Sequence, residues 1–195
     1  HKMLAPSGSG VLWARRELLE GMPPFMSGGD MIESVHLRHA TYNQIPHKFE
    51  AGTPAVSSAV GLGAAVDYLS ALGLENVAAH EEALTAYALE VLPREVPGIR
   101  IHGSPDAAER AGIVTFTLPE AHAHDVATLL DREAVAIRAG HHCTQPLHER
   151  LGESATGRAS FNVYSTTEDI DRLAAGLRGV QRVFGRHPAT AGSSH

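Results

Sequence analysis

The chain has 195 residues, 43% of them hydrophobic, and a formal net charge of -6. This length and apolar content suit one ordinary domain, or part of a larger one, with a core of its own. The charge provides no basic surface of the kind that binds nucleic acid, and no apolar run approaches the roughly 18 residues that a membrane-spanning helix needs.

The single cysteine, Cys143, rules out an internal disulfide, which favours a reducing compartment. No signal peptide precedes the first residues, so the cytoplasm is the expected location. Because the sequence opens on His1-Lys2 without an initiator methionine, we expect it to begin inside a longer polypeptide.

The first seventy residues predict short elements separated by long loops. Residues 11–14 predict a short buried strand, and residues 16–19 predict a short helix. Two loops rich in glycine and proline follow at 21–30 and 46–54, and loops of this size are usually functional or interfacial. An apolar stripe then predicts a helix over about 54–72.

The next part of the chain predicts alternating helices and strands. A helix over about 75–91 is expected to end before Pro93. Runs of β-branched residues predict strands at 99–102 and 113–117. A helix over about 123–133 and a strand at 135–138 follow.

Residues 158–164 alternate between apolar and polar side chains, which predicts a strand with one core face and one face available for a site. Ser165 to Glu168 has the form of a capping box. The terminal helix that follows has an apolar stripe of Ile170, Leu173, Leu177, Val180 and Phe184.

These patterns predict two parts and a tail. Residues 1–70 contain too little sheet for a complete domain. Residues 71–185 predict a compact α+β unit of three or four strands with helices on one face. Residues 186–195 are small and polar, which is typical of a disordered tail or an expression remnant.

Cys143 follows the apolar run 135–137 and has polar neighbours. A lone cysteine is most often a small buried hydrophobe. Gly140 and Pro146 interrupt the backbone here, however, which favours an exposed loop, and an exposed thiol beside Arg138 is a candidate nucleophile. His141 and His142 either tune that thiol or only hydrogen-bond the loop. No further ligand is spaced to form a metal site with them.

Three other residues are candidates, each with a simpler alternative. Lys2 is a catalytic amine or a solvated charge. Thr53, at a helix start, is a phosphate ligand or only a cap. Arg158, on the polar face of a strand, is a fork for a substrate carboxylate or a surface charge.

Taken together, the motifs resemble the C-terminal half of SufS-type cysteine desulfurases. These enzymes belong to the fold-type I, class V aminotransferase group, which uses pyridoxal 5'-phosphate. The resemblance covers about residues 1–185, and its motifs are His1-Lys2 with the following Pro-Ser-Gly-Ser-Gly run, Gly28 to Ile32, Phe49 to Pro54, Arg138 to Cys143 and Arg158 to Ser160.

The resemblance implies an α/β fold. Residues 1–70 would be the C-terminal part of the large cofactor-binding domain, and residues 71–185 the small α+β domain with the cysteine loop. Lys2 resembles the lysine that binds the cofactor aldehyde, and His1 a neighbour of the cofactor phosphate. Thr53, preceded by Gly52, resembles a residue that reaches the phosphate in the partner subunit of a homodimer.

The resemblance also implies roles around the thiol. Arg158 resembles the arginine that pairs with the substrate α-carboxylate, a task that suits a bidentate guanidinium. Cys143 resembles the nucleophile that takes sulfur from L-cysteine, becomes a persulfide and releases alanine. Arg138 would help Arg158 to bind the substrate, and Arg138, His141 and His142 are candidate tuners of the sulfur transfer. With His124, the two histidines are also candidates for passing the sulfur to a partner.

His124 matches a histidine found in the branch of the family that delivers sulfur to a zinc-bearing SufU-type scaffold. The resemblance therefore implies a SufU-like acceptor in iron-sulfur cluster assembly, although His124 could simply start the following helix. Complete enzymes are about twice this length, and the other half would supply the groups around the cofactor ring. The alternative functions are selenocysteine lyase, cysteine sulfinate desulfinase and a non-catalytic half-enzyme module.

Overall fold

The computed structural model describes residues 1–185, so the predicted tail lies outside the described residues. The chain forms two compact units that divide after Leu72.

The first unit contains short elements and one long helix. These elements are α1 (Arg16–Gly21), β1 (Ile32–Val35), β2 (Ala40–Tyr42), a 3-10 turn (His47–Phe49) and α2 (Val56–Leu72). The strands pair as an antiparallel hairpin, in which the hydroxyls of Ser34 and Thr41 lie 2.7 Å apart. The sequence patterns did not predict this hairpin.

The strand predicted at residues 11–14 is wrong. This segment belongs to no sheet, and the side chains of Val11 and Trp13 are 82% and 85% exposed. A strand requires a partner for its backbone N–H and C=O groups, and no described segment pairs with this one. The apolar composition of residues 11–14 is therefore not enough to make them a strand.

The segment that follows Lys2 packs on α2. Ser58 donates a hydrogen bond to the carbonyl of Ser7 at 3.3 Å, and Gly61 leaves room for the ring of Pro6. A Cβ atom on Gly61 would lie 2.5 Å from Cγ of Pro6. The contact places the chain start along the first half of the helix.

Gly61→Ala should therefore destabilise the protein, because the new methyl group overlaps a ring that can move only with its backbone. We expect the free energy of unfolding to fall by about 1–3 kcal/mol. Gly63→Ala is the matched control, since its Cβ would meet nothing within 4 Å, and it should stabilise α2 by roughly 0.5–1 kcal/mol. If urea denaturation shows the same change in the free energy of unfolding for both variants, the contact between Gly61 and Pro6 is contradicted.

The second unit is an α+β fold. Its elements in chain order are α3 (Leu74–Glu95), β3 (Arg100–His102), β4 (Ile113–Thr117), α4 (Ala123–Arg132), β5 (Arg138–Gly140), α5 (Gln145–Leu151), β6 (Thr156–Ser160) and α6 (Thr167–Phe184). The four strands form one antiparallel sheet in the order β3-β4-β6-β5. Helix α6 packs against both α3 and α4.

The core lies between these helices and one face of the sheet. Val114 and Phe116 alternate along β4 and are fully buried, and Ala159 continues the apolar face on β6. The predicted stripe of α6 is confirmed, with Ile170, Leu173, Leu177 and Val180 buried and Phe184 packed at the edge of the core. The opposite face of the sheet is left for polar side chains.

Two helix ends in this unit were predicted wrongly. Helix α3 continues through Pro93 to Glu95, because a proline in the last turn removes only one helical hydrogen bond while Leu92 and Val96 are fully buried around it. The capping box lies one residue later than predicted: the Thr166 N–H donates to Asp169 at 2.9 Å.

Two strands also differ from their predictions. Strand β5 starts at Arg138, where the predicted strand ends, because Val135 and Ile137 pack against the core and form no strand pairing. Strand β6 ends at Ser160, because a turn follows in which the Ser165 N–H donates to the carbonyl of Asn162 at 2.8 Å. Helix α5 was not predicted.

Within residues 1–185, no single helix is long and apolar enough to cross a membrane. The consecutive helices α2 and α3 reach that length and apolar content only when they are taken together.

Candidate active site

Cys143 lies in the short connection between β5 and α5, and it is exposed. Positive φ angles occur at Gly140, the last residue of β5, with +125°, and at two residues of the connection, with +52° at His142 and +64° at Cys143. The left-handed region disfavours side chains other than glycine, so the surroundings must hold His142 and Cys143 in place. The connection is a shaped loop that presents the thiol.

Arg138 is the charged residue that contacts this thiol. Its Nη2 atom donates to Sγ of Cys143 across 3.9 Å. A positively charged donor beside an exposed thiol is a setting typical of nucleophilic cysteines. The structure thus favours the exposed-loop interpretation of Cys143 over the buried one.

His142 points its ring toward β6. Its Nε2 atom lies 3.1 Å from the carbonyl oxygen of Thr156 and 3.0 Å from the Thr156 hydroxyl. Because a carbonyl only accepts, Nε2 carries the proton of the neutral ring. Burial lowers the pKa of His142, and the Arg158 charge lowers it further.

Arg158 lies on β6 directly opposite Arg138 on β5. Like charges in this position repel each other, so the pair is suited to hold an anion between or above the two guanidinium groups. The Nε atom of Arg158 is buried and has no hydrogen-bond partner within residues 1–185, and the same is true of Nδ1 of His142. The loop side of β6 therefore retains an unpaired donor and an unpaired acceptor.

One row of side chains crosses the polar face of the sheet. In sheet order it consists of His102, Thr115, Arg158 and Arg138. His102 is buried, its Nε2 lies 3.2 Å from the Thr117 hydroxyl, and burial lowers its pKa although Glu153 opposes that shift. Sequence reasoning missed His102, but its place at the polar end of the alternating run 99–102 was a usable signal.

The lowered pKa values of His102 and His142 predict a stability that depends on pH. Both rings favour the neutral form when folded, so their contribution is complete above the ordinary histidine pKa of about 6.5 and falls as the pH drops below it. Each linked proton contributes a slope of at most about 1.4 kcal/mol per pH unit. In His102→Gln, the free energy of unfolding measured by urea denaturation should fall less between about pH 6.5 and 5. An unchanged fall would contradict the lowered pKa of His102.

The cofactor candidates of the sequence lie in the first unit. His1, Lys2 and Thr53 are exposed, and within the described residues no hydrogen bond or ion pair involves the Lys2 amine or the Thr53 hydroxyl. Gly52 has φ of +83°, and its N–H donates to the carbonyl of Gly29 at 2.9 Å. This bond joins the two glycine-containing loops just before α2.

His124 lies in the first turn of α4 and is exposed. The centres of the His124 and His122 rings lie 5.3 Å apart in a stacked arrangement. The backbone N–H of His124 donates to Nδ1 of His122 at 3.3 Å. No hydrogen bond or ring contact between described residues joins it to the cysteine loop. The structure thus brings together Cys143, Arg138, His142 and Arg158, while His124 occupies a separate helix terminus.

Comparison with known proteins adds a consistent set of relatives. The aminotransferase class-V family matches residues 1–173. A protein of Streptomyces coelicolor described as a probable cysteine desulfurase is 54% identical over 185 residues, which are 95% of this chain and 44% of that protein. The chain therefore spans less than half the length of the curated relatives it matches.

Two solved structures are similar in fold and sequence. The crystal structure of the cysteine desulfurase CsdA from Escherichia coli, in an S-sulfonic acid form, has a TM-score of 0.84 and 34% identity. It is matched over 94% of this chain and 45% of its own length. The apo cysteine desulfurase from Thermococcus onnurineus NA1 has the same TM-score and identity, over 94% of this chain and 44% of that one.

Proposed function

The chain belongs to the aminotransferase class-V family, and on that premise we propose that it is the thiol-bearing part of a cysteine desulfurase that converts L-cysteine to L-alanine. The observation that carries this proposal is Cys143, the chain's one cysteine, held on an exposed loop beside Arg138. The identity of about half to proteins described as cysteine desulfurases supports the same reaction.

The cofactor of this family is pyridoxal 5'-phosphate, and the donors of this chain fit it. The Lys2 amine has no competing ion pair within residues 1–185, so it is available to the cofactor aldehyde. His1, Gly52 and Thr53 would bind the phosphate, Thr53 through a hydroxyl that no described residue occupies. Once bound, the cofactor supplies an electron sink for the bonds of the substrate α-carbon.

Arg158 would bind the substrate carboxylate. Its buried, unpaired Nε–H needs an acceptor, and a carboxylate provides two oxygens in the geometry of the guanidinium fork. Arg138 lies opposite and contributes a second positive charge between this position and the thiol. The pair therefore orients an amino acid next to Cys143.

Cys143 would then take the sulfur. Its thiolate attacks the substrate sulfur, and the new S–S bond forms as the bond from sulfur to the β-carbon breaks. The electron pair of the broken bond, together with a proton, ends on the β-carbon, which leaves alanine. The thiol is left as a persulfide. Arg138, whose Nη2 lies 3.9 Å from the Cys143 sulfur, would hold the sulfur in place before the attack.

The sulfur would pass from Cys143 to an acceptor protein of a SUF system, which assembles iron-sulfur clusters in the cytoplasm. The enzyme would act as a homodimer with shared active sites. An exposed His124 whose ring stacks on His122 is accessible to a zinc-bearing, SufU-like scaffold. If His124→Ala leaves scaffold-stimulated turnover unchanged, this acceptor assignment fails.

The test of the function is alanine formation from L-cysteine by the cofactor-loaded enzyme of which this chain is the proposed part. We expect alanine and, when dithiothreitol is present to reduce the persulfide, sulfide in equal amounts. Alanine formed from cysteine sulfinate or selenocysteine, but not from cysteine, would favour the related lyase and desulfinase activities. A protein that binds no cofactor and makes no alanine would instead be a non-catalytic module.

A further inference from the structure

His148 is the most buried histidine near the thiol, and nothing in the proposed chemistry uses it. It lies on α5, five residues after Cys143, and its side chain is 3% exposed. A buried imidazole is costly unless its nitrogens are hydrogen-bonded. Both nitrogens of His148 have partners, and the partners lie on the two sides of the cysteine loop.

The hydrogen-bond partners determine where the protons lie. Nδ1 of His148 lies 3.1 Å from the carbonyl oxygen of Thr144, which only accepts, so Nδ1 donates. Nε2 of His148 then accepts from the Thr156 hydroxyl at 3.0 Å. The Thr144 hydroxyl donates to the carbonyl of His141 at 2.8 Å. The Thr144 hydroxyl oxygen, at 3.4 Å, is a second and more distant acceptor for Nδ1 of His148.

The same hydroxyl of Thr156 also faces His142. Because its hydrogen is directed to His148, its lone pairs are free to accept from Nε2 of His142 at 3.0 Å. The chain of bonds therefore runs from His142 through Thr156 and His148 to Thr144. It holds the residues on both sides of Cys143.

This closed arrangement accounts for the unusual backbone of the loop. His142 and Cys143 have φ of +52° and +64°, angles that persist only where the surroundings impose them. The edge-on contact between the rings of His141 and His148, at 5.4 Å, adds a third attachment of the loop to α5. Loss of His148 would leave Thr144 and Thr156 without their common partner.

We infer that His148 is a positioning residue, which acts through Thr156 and Thr144 to hold Cys143 where it can take the substrate sulfur. This inference rests on the proposed desulfurase function. It predicts a defect confined to the step that needs Cys143, because neither cofactor attachment at Lys2 nor carboxylate binding at Arg158 involves these bonds.

The experiment compares His148→Phe, which keeps the ring volume and removes both bonds, with Thr156→Val, which removes only the shared hydroxyl. In the cofactor-loaded protein we expect kcat for alanine formation from L-cysteine to fall about 10-fold to 100-fold with KM unchanged. Exchange of the α-proton of L-alanine with solvent, which does not need the thiol, should proceed at the wild-type rate.

His80→Phe is the matched control, since it removes one imidazole bond of the same unit, from Nε2 to the carbonyl of Ser165 at 3.0 Å. It should leave kcat unchanged. If His148→Phe fails to fold, Thr156→Val carries the test. Unchanged kcat in Thr156→Val, or an equal loss of α-proton exchange, would overturn the inference.

Amide hydrogen exchange makes the test independent of the enzymatic activity. The N–H of Thr144 donates to the carbonyl of His141 at 2.8 Å, and its exchange should quicken at least about 10-fold in His148→Phe but not in His80→Phe. A wild-type protein that makes no alanine would refute the proposed function, while the exchange result would still decide whether His148 holds the loop.

Discussion

Replacing Cys143 by serine should lower alanine formation from L-cysteine by at least about 1,000-fold, because a hydroxyl is a far weaker nucleophile toward sulfur and cannot form a persulfide. The substitution keeps the size of the side chain and its exposed position on the loop. Cofactor bound at Lys2 should therefore retain its visible absorbance, and the Michaelis constant for α-proton exchange of alanine should not change.

Alkylation provides the control for this prediction. Cys143 is the one cysteine of the chain, so iodoacetamide modifies a single thiol within these 195 residues, and peptide mapping identifies that site. The alkylated protein should match Cys143→Ser in both measurements. Alanine formation at the wild-type rate after complete alkylation would show that another group receives the sulfur.

Replacing Lys2 by alanine should remove the visible absorbance of lysine-bound cofactor and lower turnover by at least about 1,000-fold. The reason is that a primary amine is the group that attaches the cofactor aldehyde and remains near the substrate α-carbon. The packing of Pro6 and Ser7 on α2 holds the backbone beyond Lys2 in place, so the loss would not come from a displaced chain start.

Lys48 is the matched control, because the chain has only these two lysines. The Lys48 amine donates to the carbonyls of Leu19 and Glu20 at 3.2 and 3.0 Å, at the end of α1. Lys48→Ala should cost some stability and leave the absorbance intact. Borohydride reduction followed by peptide mapping should place the cofactor on Lys2, and a cofactor found on Lys48 would contradict the assignment.

The sequence predicted the elements whose apolar residues all lie on one face and pack against one core. The stripe of α6 faces a single core, and β4 alternates across a sheet with one buried face, so both were found. Two strand predictions failed for different reasons. The apolar residues of 135–137 pack on the core but do not pair with a strand, and those of 11–14 are exposed and have no strand partner within the described residues. Pairing depends on distant segments, which local patterns do not contain.

For the site, the motifs identified the groups with chemical roles but not the residues that hold them. Cys143, Arg138 and Arg158 stand in short recognisable runs. Their geometry depends on the register between β5 and β6, which places Arg138 opposite Arg158. The contribution of Thr156 and His148 arises only when α5 folds back on β6, and no spacing in the sequence indicated it.

The most direct test of the central claim is the mass of the peptide that contains Cys143, measured without reductant after the cofactor-loaded protein has reacted with L-cysteine. The proposed function predicts a peptide heavier by one sulfur atom, removed by dithiothreitol and absent from Lys2→Ala. Alanine released in the same reaction, with Cys143 carrying no additional sulfur at any time, would contradict it.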